Sequence, residues 1–550
     1  MPSISLDRKS FEKYVGKKFD NEKLKDRISY LGTDLDSVDD NHINVEVFPN
    51  RPDMLSVQGF ARAFSSFVGL KPGLRKYQVS DSGESVIVDK SVAKIRPYTA
   101  CAIVKGMKFD DETIKEVVDI QEKLHITYGR HRKKAAIGVY PLEKIRFPIR
   151  FLARNPKDIR FQPLEFPHVL DGFQILCDHP AGREYAHLLD GLDSFPIFVD
   201  ANDNILSMPP IINSHVTGKI THLTKDVFIE CSGFDFDVLH KCLNMIVTAL
   251  SDMGGKVYSL KLKYPDKTRI TPDLSPGKMK IDLDYVNKRL GLRLNRKELN
   301  SLLARMGFGL KDKFVLIPAY RADILHQIDF VEDIAIAYGF ENFQALIPNA
   351  ATVASEDPFE VFKSKLSMLL VGLGLLEVNT YNLTNIEFQT TRMQHKTDVI
   401  HLANSLSAEY NVLRSWLIPS LVEVLANNKH HDYPQKIFGF GTIFKKNESF
   451  ETSVEETDRL SVILCSDSSD FTSIRQVLDY LMRSIGLQIS VEEADHDSFI
   501  QGRVGNVMLK HRKVGFLGEL HPAVLRNWNL DMPVTCLEIS LDALYSVLAK

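Results

Sequence analysis

Nothing in this sequence of 550 residues reads as a covalent or metal staple. Its six cysteines (Cys101, Cys177, Cys231, Cys242, Cys465 and Cys536) are scattered and form no C-x-x-C pair. That spacing argues against structural zinc and for reduced thiols, and so for a cytoplasmic protein. No stretch approaches ~18 uninterrupted apolar residues, so no membrane span is expected. The polar start after Met1 lacks the apolar core of a signal sequence. An excess of one charge is also missing. The formal net charge is −3, so a charged ligand must be met by local patches. Low-complexity tracts, a G-x-S-x-G elbow, a Walker A loop, a dinucleotide fingerprint and a Ser–His–Asp signature are all absent. What remains is an ordinary soluble composition, 44% hydrophobic and 25% charged, long enough for about three to five domains.

The pattern of elements predicts an α+β multidomain chain. Residues 1–75 read as a small α/β unit whose second strand leaves through Pro49–Asn50–Arg51–Pro52. Two prolines in four residues fix φ twice, and Asp53 is placed to cap a helix over 54–68. The turn is either a rigid corner or a means for Arg51 and Asp53 to reach a partner. Residues 76–90 look like a linker. From 90 to 255, short strands such as ACAIVKGM and AAIGVY, with a helix over 111–125, give a strand-rich α+β domain. Proline and glycine between Tyr264 and Gly277 mark the next boundary. Residues 270–345 then show a strand, two short helices, a hairpin and a further helix, in an order resembling a winged helix-turn-helix unit. Asn295 and Glu298 have capping-box spacing there. Residues 350–550 read as one domain, an antiparallel sheet with helices on one side. Gly439 and Gly441 in one of its strands signal a bend or a close backbone approach.

Three patterns carry possible chemistry. In the helix from Gln327, Val331, Ile334, Ala335 and Tyr338 form an apolar stripe. Asp329, Glu332 and Asp333 group opposite it, with Asp323 just upstream in an extended YRAD segment. No Lys or Arg lies three or four residues from the helical acids to offset their repulsion. The face is either solvated or an oxygen-ligand set for a hard divalent cation. The second pattern is the basic run Arg130–His131–Arg132–Lys133–Lys134, either a solvated face or a phosphate contact. The third joins Ser207–Met208–Pro209–Pro210–Ile211–Ile212–Asn213–Ser214 with Phe228–Ile229–Glu230–Cys231–Ser232–Gly233–Phe234–Asp235. Polar groups framed by apolar ones there suit a small pocket selecting on a hydroxyl or amine. His215 nearby reads as a surface or packing histidine.

Taken in order, PNRPDML (49–55), YGRHRKKAAIGVY (128–140), MPPIINS (208–214), YRADILHQIDFVEDIAIAYGFEN (320–342), LRSWLIPSLVEVLANN (413–428), IFGFGTIF (437–444) and GELHPAVLRNW (518–528) resemble the β subunit of phenylalanyl-tRNA synthetases of the shorter archaeal and eukaryotic type. The resemblance implies an (αβ)₂ heterotetramer, with ATP and phenylalanine bound and tRNA(Phe) charged on α. It implies a class II synthetase-like C-terminal domain without catalysis, and Gly441–Thr442 is indeed followed by no Arg–x–Glu. It assigns Mg²⁺, shared with α, to Asp323, Asp329, Glu332 and Asp333. It makes 90–255 an editing domain that hydrolyses Tyr-tRNA(Phe), with Ser207, Asn213, Glu230 and Asp235 as pocket candidates and no covalent nucleophile. Arg130, Arg132, Lys133 and Lys134 become contacts for the tRNA acceptor end. Anticodon recognition by this chain is not expected, since the bacterial oligonucleotide-binding insertion and C-terminal anticodon domain have no room. The competing expectation is a tRNA-binding or scaffold paralogue without enzymatic activity.

Overall fold

The computed structural model describes residues 2–349 and 353–549. The boundaries expected at 350 and 550 lie outside the described residues. The chain forms two compact units, Met1–Ile347 and Pro348–Lys550. The regions expected as separate domains up to residue 345 therefore share one unit. Apolar residues from each of them join one shared core, from Phe11 and Phe60 through Val104 and Leu243 to Leu303 and Phe330, while the sheet-rich region adds cores of its own.

The first unit begins with a three-stranded sheet, Ser3–Asp7, His42–Glu46 and Asp34–Val38, packed with helices. Asp53 does not cap the following helix. Ser56 does, accepting from the Gly59 amide, and the helix runs Val57–Phe67. Asp53 is instead held by Arg51, Nε to Oδ1 and Nη2 to Oδ2 at 2.9 Å each. Both side chains are buried, so the corner is structural and reaches no outside partner.

A ten-stranded sheet dominates the unit. Along its path lie Ile212–Asn213, Ile205–Met208, Phe195–Val199, Ile149–Arg154, Val79–Val88, Lys256–Lys263, Tyr98–Lys105, Val227–Gly233 and Ala135–Pro141. The stretch read as a linker is thus a strand, Val79–Val88, parallel to both Lys256–Lys263 and Ile149–Arg154. Its SDSGES segment is polar because that end is exposed, so no apolar alternation was visible. The strands Lys256–Lys263 and Thr268–Thr271 extend this sheet past the boundary expected at 255. Tyr98–Lys105 separates two cores by simple alternation. Ala100, Ala102 and Val104 face the core under helices Asp111–Ile126 and Phe236–Asp252, while Cys101 and Ile103 face the other.

The strand Gly277–Lys280, helices Leu283–Leu290 and Arg296–Arg305, and the hairpin Gly309–Lys311/Phe314–Ile317 appear in the expected order. Asn295 and Glu298 form the capping box. The acidic helix runs Gln327–Tyr338.

In the second unit, seven strands pair in the order Leu376–Glu377, Gln435–Lys446, Val454–Cys465, Val534–Ser540, Arg512–Leu520, Phe499–Leu509 and Ser490–Glu493. Only the first pair is parallel. Helices cover both faces, not one. Leu460 and Val462 pack with helices Pro358–Gly372 and Phe471–Ser484, and Ile463 and Cys465 pack with Ile418–Asn427. A strand buried on both sides reads as a continuous apolar run, which hides its second face from sequence inspection. Gly439 and Gly441 do mark close approaches. A Cβ at 439 would sit 2.8 Å from the Val378 carbonyl oxygen, and one at 441 would strike the Arg414 guanidinium. That guanidinium is buried and donates to Thr442 O (2.8 Å), Thr380 Oγ1 (2.9 Å) and Asn382 Oδ1 (2.7 Å).

Candidate functional site

The four acids expected to hold a cation do not converge. Arg321, 2% exposed, donates from Nε to Asp323 Oδ1 (2.8 Å) and from Nη2 to both Asp323 Oδ2 and Asp333 Oδ2 (2.7 Å each). Asp333 lies on the buried face of its helix, not the outer one. Asp329 Oδ2 accepts from the backbone amides of Leu325 and His326 at 2.7 and 2.8 Å, closing the helix N-terminus. Glu332 alone is exposed. The neutralising residue lies outside the i±3 and i±4 positions, because the extended YRAD segment folds back along the helix. Among the described residues, no three His, Cys, Asp or Glu side chains are placed to hold a metal ion. The atom left without a partner here is Arg321 Nη1, a donor, which repels a cation. As arranged in this chain, the set does not fit Mg²⁺.

The third pattern does converge. The sheet curls until strands from the two ends of its path, Ile205–Asn213 and Ala135–Pro141, meet through Tyr140. Its hydroxyl lies 2.8 Å from Ser207 Oγ, 3.2 Å from Asn213 Oδ1 and 3.2 Å from Glu230 Oε1. Ser207 pairs with Asn213 across a tight hairpin, and Glu230 sits opposite Gly138 on the neighbouring strand. Gly138 is required, since a Cβ there would lie 2.7 Å from Glu230 Oε1. Ser207, Asn213 and Glu230 border a cavity of about 190 Å³, walled also by Ala136, Ile137 and Pro210, with Tyr140 behind its wall. Burial pushes the Glu230 carboxyl up to about 8, against the pull of Arg96. Burial, with Glu230 beside it, likewise raises the Tyr140 phenol well above its usual range. Glu230 Oε2 is buried without a hydrogen-bond partner.

Asp235 is elsewhere: it is exposed and caps the helix Phe236–Asp252 through the amides of Asp237 and Val238. Tyr140 was missed because a terminal aromatic in AAIGVY looks like core. Its signal would have been the register that sets its strand beside Glu230.

The basic run splits. Arg130, His131 and Arg132 all have positive φ (48°, 51° and 63°), a left-handed turn that non-glycine residues rarely enter. Arg130, Lys133 and Lys134 are exposed, but Arg132 turns inward. It donates to Ile211 O (2.8 Å) and Glu122 Oε1 (3.2 Å), and stacks over the Tyr185 ring. Arg132 is therefore a wall of the cavity, not an outward contact. The His125 hydrogen bond and Arg132 hold Glu122 at about 2. His125 itself is lowered by burial; its Nε2 accepts from the Ile137 amide at 2.8 Å, and Nδ1 faces Glu122.

Comparison with known proteins assigns both units. Residues 279–340 match the tRNA synthetase B5 domain, and residues 344–541 match the phenylalanyl tRNA synthetase beta chain CLM domain. These matches define a tRNA synthetase chain. Full-length relatives narrow it. The phenylalanine–tRNA ligase beta subunit of Pyrococcus furiosus is 40% identical, with 99% of this chain and 100% of that protein aligned. That of Archaeoglobus fulgidus is 38% identical, with 99% of each aligned. A crystal structure of an N-terminal fragment of the Pyrococcus horikoshii phenylalanyl-tRNA synthetase β-subunit superposes with a TM-score of 0.59 at 36% identity, covering 61% of this chain and 99% of that one. The chain belongs to the phenylalanine–tRNA ligase beta-subunit family, part of an α–β enzyme. No helix among the described residues is long and apolar enough to cross a membrane.

Proposed function

We propose that this chain assembles with α as an (αβ)₂ heterotetramer, leaves ATP-dependent activation and charging of phenylalanine to α, and hydrolyses Tyr-tRNA(Phe) in the cavity lined by Ser207, Asn213 and Glu230. The observation that carries this reading is the meeting of Ser207, Asn213 and Glu230 at one small cavity open to solvent. An apolar synthetic pocket rejects an added hydroxyl weakly, so a second site with polar groups placed for that hydroxyl supplies the missing discrimination.

The reaction needs a water oxygen to attack the aminoacyl ester carbonyl. The carbonyl-to-ribose C–O bond then breaks, and the water's proton passes to the ribose oxygen. No activated nucleophile supports a covalent alternative. Ser207 Oγ is engaged by Tyr140, and both ring nitrogens of His125 are occupied. The chain's residues therefore position the substrate and the attacking water. Exposed Arg130, Lys133 and Lys134, close in sequence to the cavity wall Arg132, suit the phosphates of the acceptor end. In the second unit Arg414 is bound into its own strand and loop, which suits a scaffold role beside α rather than adenylation.

The test is deacylation of Tyr-tRNA(Phe) by the purified α–β complex. Asn213→Ala is expected to slow clearance at least about a hundredfold while leaving phenylalanine charging intact. Clearance at the wild-type rate would favour a scaffold paralogue and remove the pocket assignment. This chain without α is expected to show no phenylalanine-dependent ATP–pyrophosphate exchange.

A further inference from the structure

The cavity and the basic turn are joined by one strand face. Side chains alternate along a strand, so Glu230, Ser232 and Phe234 share a face, beside Gly138, Ala136 and Lys134 of the neighbouring strand. Glu230 and Ala136 line the cavity. Phe234 and Lys134 stand one rung past the last pair, Gly233 with Ala135. The two chains are in close contact there, since a Cβ on Gly233 would strike the Lys134 carbonyl oxygen. At the rise of a strand, Phe234 lies about 13 Å from Glu230.

Phe234 is 54% exposed. A single exposed ring is ordinary, and what sets this one apart is its support. Arg96, 3% exposed, lies under it with the guanidinium 5.6 Å from the ring centroid. The same guanidinium donates to Ser232 Oγ (3.1 Å), to the Ser232 carbonyl and to the Arg132 carbonyl (3.3 Å). One buried cation therefore fixes the ring and the basic turn against each other. Among the described residues no other ring or cation stacks on Phe234, so one face stays open. The turn beside it carries exposed Arg130, Lys133 and Lys134, which among the described residues have no carboxylate partner. The acid next in sequence, Asp235, is used by its own helix N-terminus. An open aromatic face bordered by unpaired cations suits a single-stranded nucleic acid, whose bases stack while its phosphates are neutralised.

We propose that Phe234 is a stacking platform for an unpaired base near the 3′ end of the tRNA, with Arg130, Lys133 and Lys134 on the flanking phosphates, so that the terminal nucleoside and its ester are presented to the cavity. This rests on the proofreading reading above. The platform takes any base, because every base offers a π-face. A ring already pinned by Arg96 loses little freedom when a base settles on it.

The experiment gives the α–β complex two forms of tRNA(Phe). A tyrosyl ester reports hydrolysis. A non-hydrolysable tyrosyl amide, with 2-aminopurine at one unpaired position before the 3′ terminus, reports stacking through quenched fluorescence. Phe234→Ala is expected to raise KM for the ester about tenfold, with kcat within about twofold of wild type, because a base–aromatic stack contributes to binding and not to the chemical step. The quenching that wild type produces at one label position should be lost. Phe234→Trp should restore both readouts. Phe234→Leu keeps an apolar side chain without a π-face and should resemble the Ala variant. Wild-type KM and quenching in the Ala variant overturn the inference, as does a Leu variant that matches wild type. Both of those results leave the proofreading reading standing. If wild type leaves the tyrosyl ester intact, that reading falls and takes this inference with it.

Discussion

Two groups of polar residues in the first unit were each a candidate site, one of four acids and one built around a single acid, and they differ in what the chain does with them. On the helix Gln327–Tyr338, Asp323 and Asp333 are taken up by Arg321, and Asp329 closes the N-terminus of its own helix. Around Tyr140, Glu230 meets no bidentate cation and keeps one oxygen without a partner. Apart from exposed Glu332, the first group is satisfied within the chain and so is architecture. The second is incomplete and so has capacity for a ligand. Counting carboxylates does not separate the two; counting unused acceptors does.

The largest test of this contrast is Arg321→Ala. It leaves two buried carboxylates without their cation and should cost about 3–5 kcal/mol in chemical denaturation. A change near zero would show that the acids were not dependent on Arg321, reopening the cation reading. Next comes Glu230→Gln, read as stability against pH. A carboxyl raised to about 8 in the folded state contributes most below its unfolded value near 4.5. That contribution is lost as pH rises toward 8. The Gln variant, which does not titrate, should therefore gain on wild type across that window, on the order of 2–4 kcal/mol by pH 8. The gap should close by about pH 4.5. A constant gap would mean that Glu230 is ionised throughout. Smaller still, Asp329→Ala removes a helix-end acceptor and should lower stability by about 1 kcal/mol, with phenylalanine charging kept. At the bottom of the scale, millimolar Mg²⁺ should leave the Tm of the chain unchanged. A rise abolished by Asp329→Ala would restore a metal site.

Local patterns were legible where local physics decides. The helix Gln327–Tyr338, the Asn295–Glu298 cap and the tight packing at Gly439 and Gly441 all follow from spacing or from the missing Cβ. The grouping of Ser207, Asn213 and Glu230 was legible as polar positions in apolar frames. What stayed hidden was tertiary. Arg321 reaches Asp333 across twelve positions, Tyr140 joins two distant strands, and Val79–Val88 looked like a linker because half of it faces solvent. Asp53 and Asp235 show the opposite error: each fits two local roles, and sequence does not choose between pairing with an arginine, capping a helix and lining a pocket.

The left-handed turn at Arg130–Arg132 links the outside of the first unit to the cavity it encloses. Three neighbouring cations point into solvent, while the one between them grips the backbone at Ile211, two residues before Asn213. A polyanion laid across the outer three would pull on the same short lever that holds the cavity wall. Glycine at 130 or 131 would relax that lever, uncoupling what is felt at the surface from what is held within.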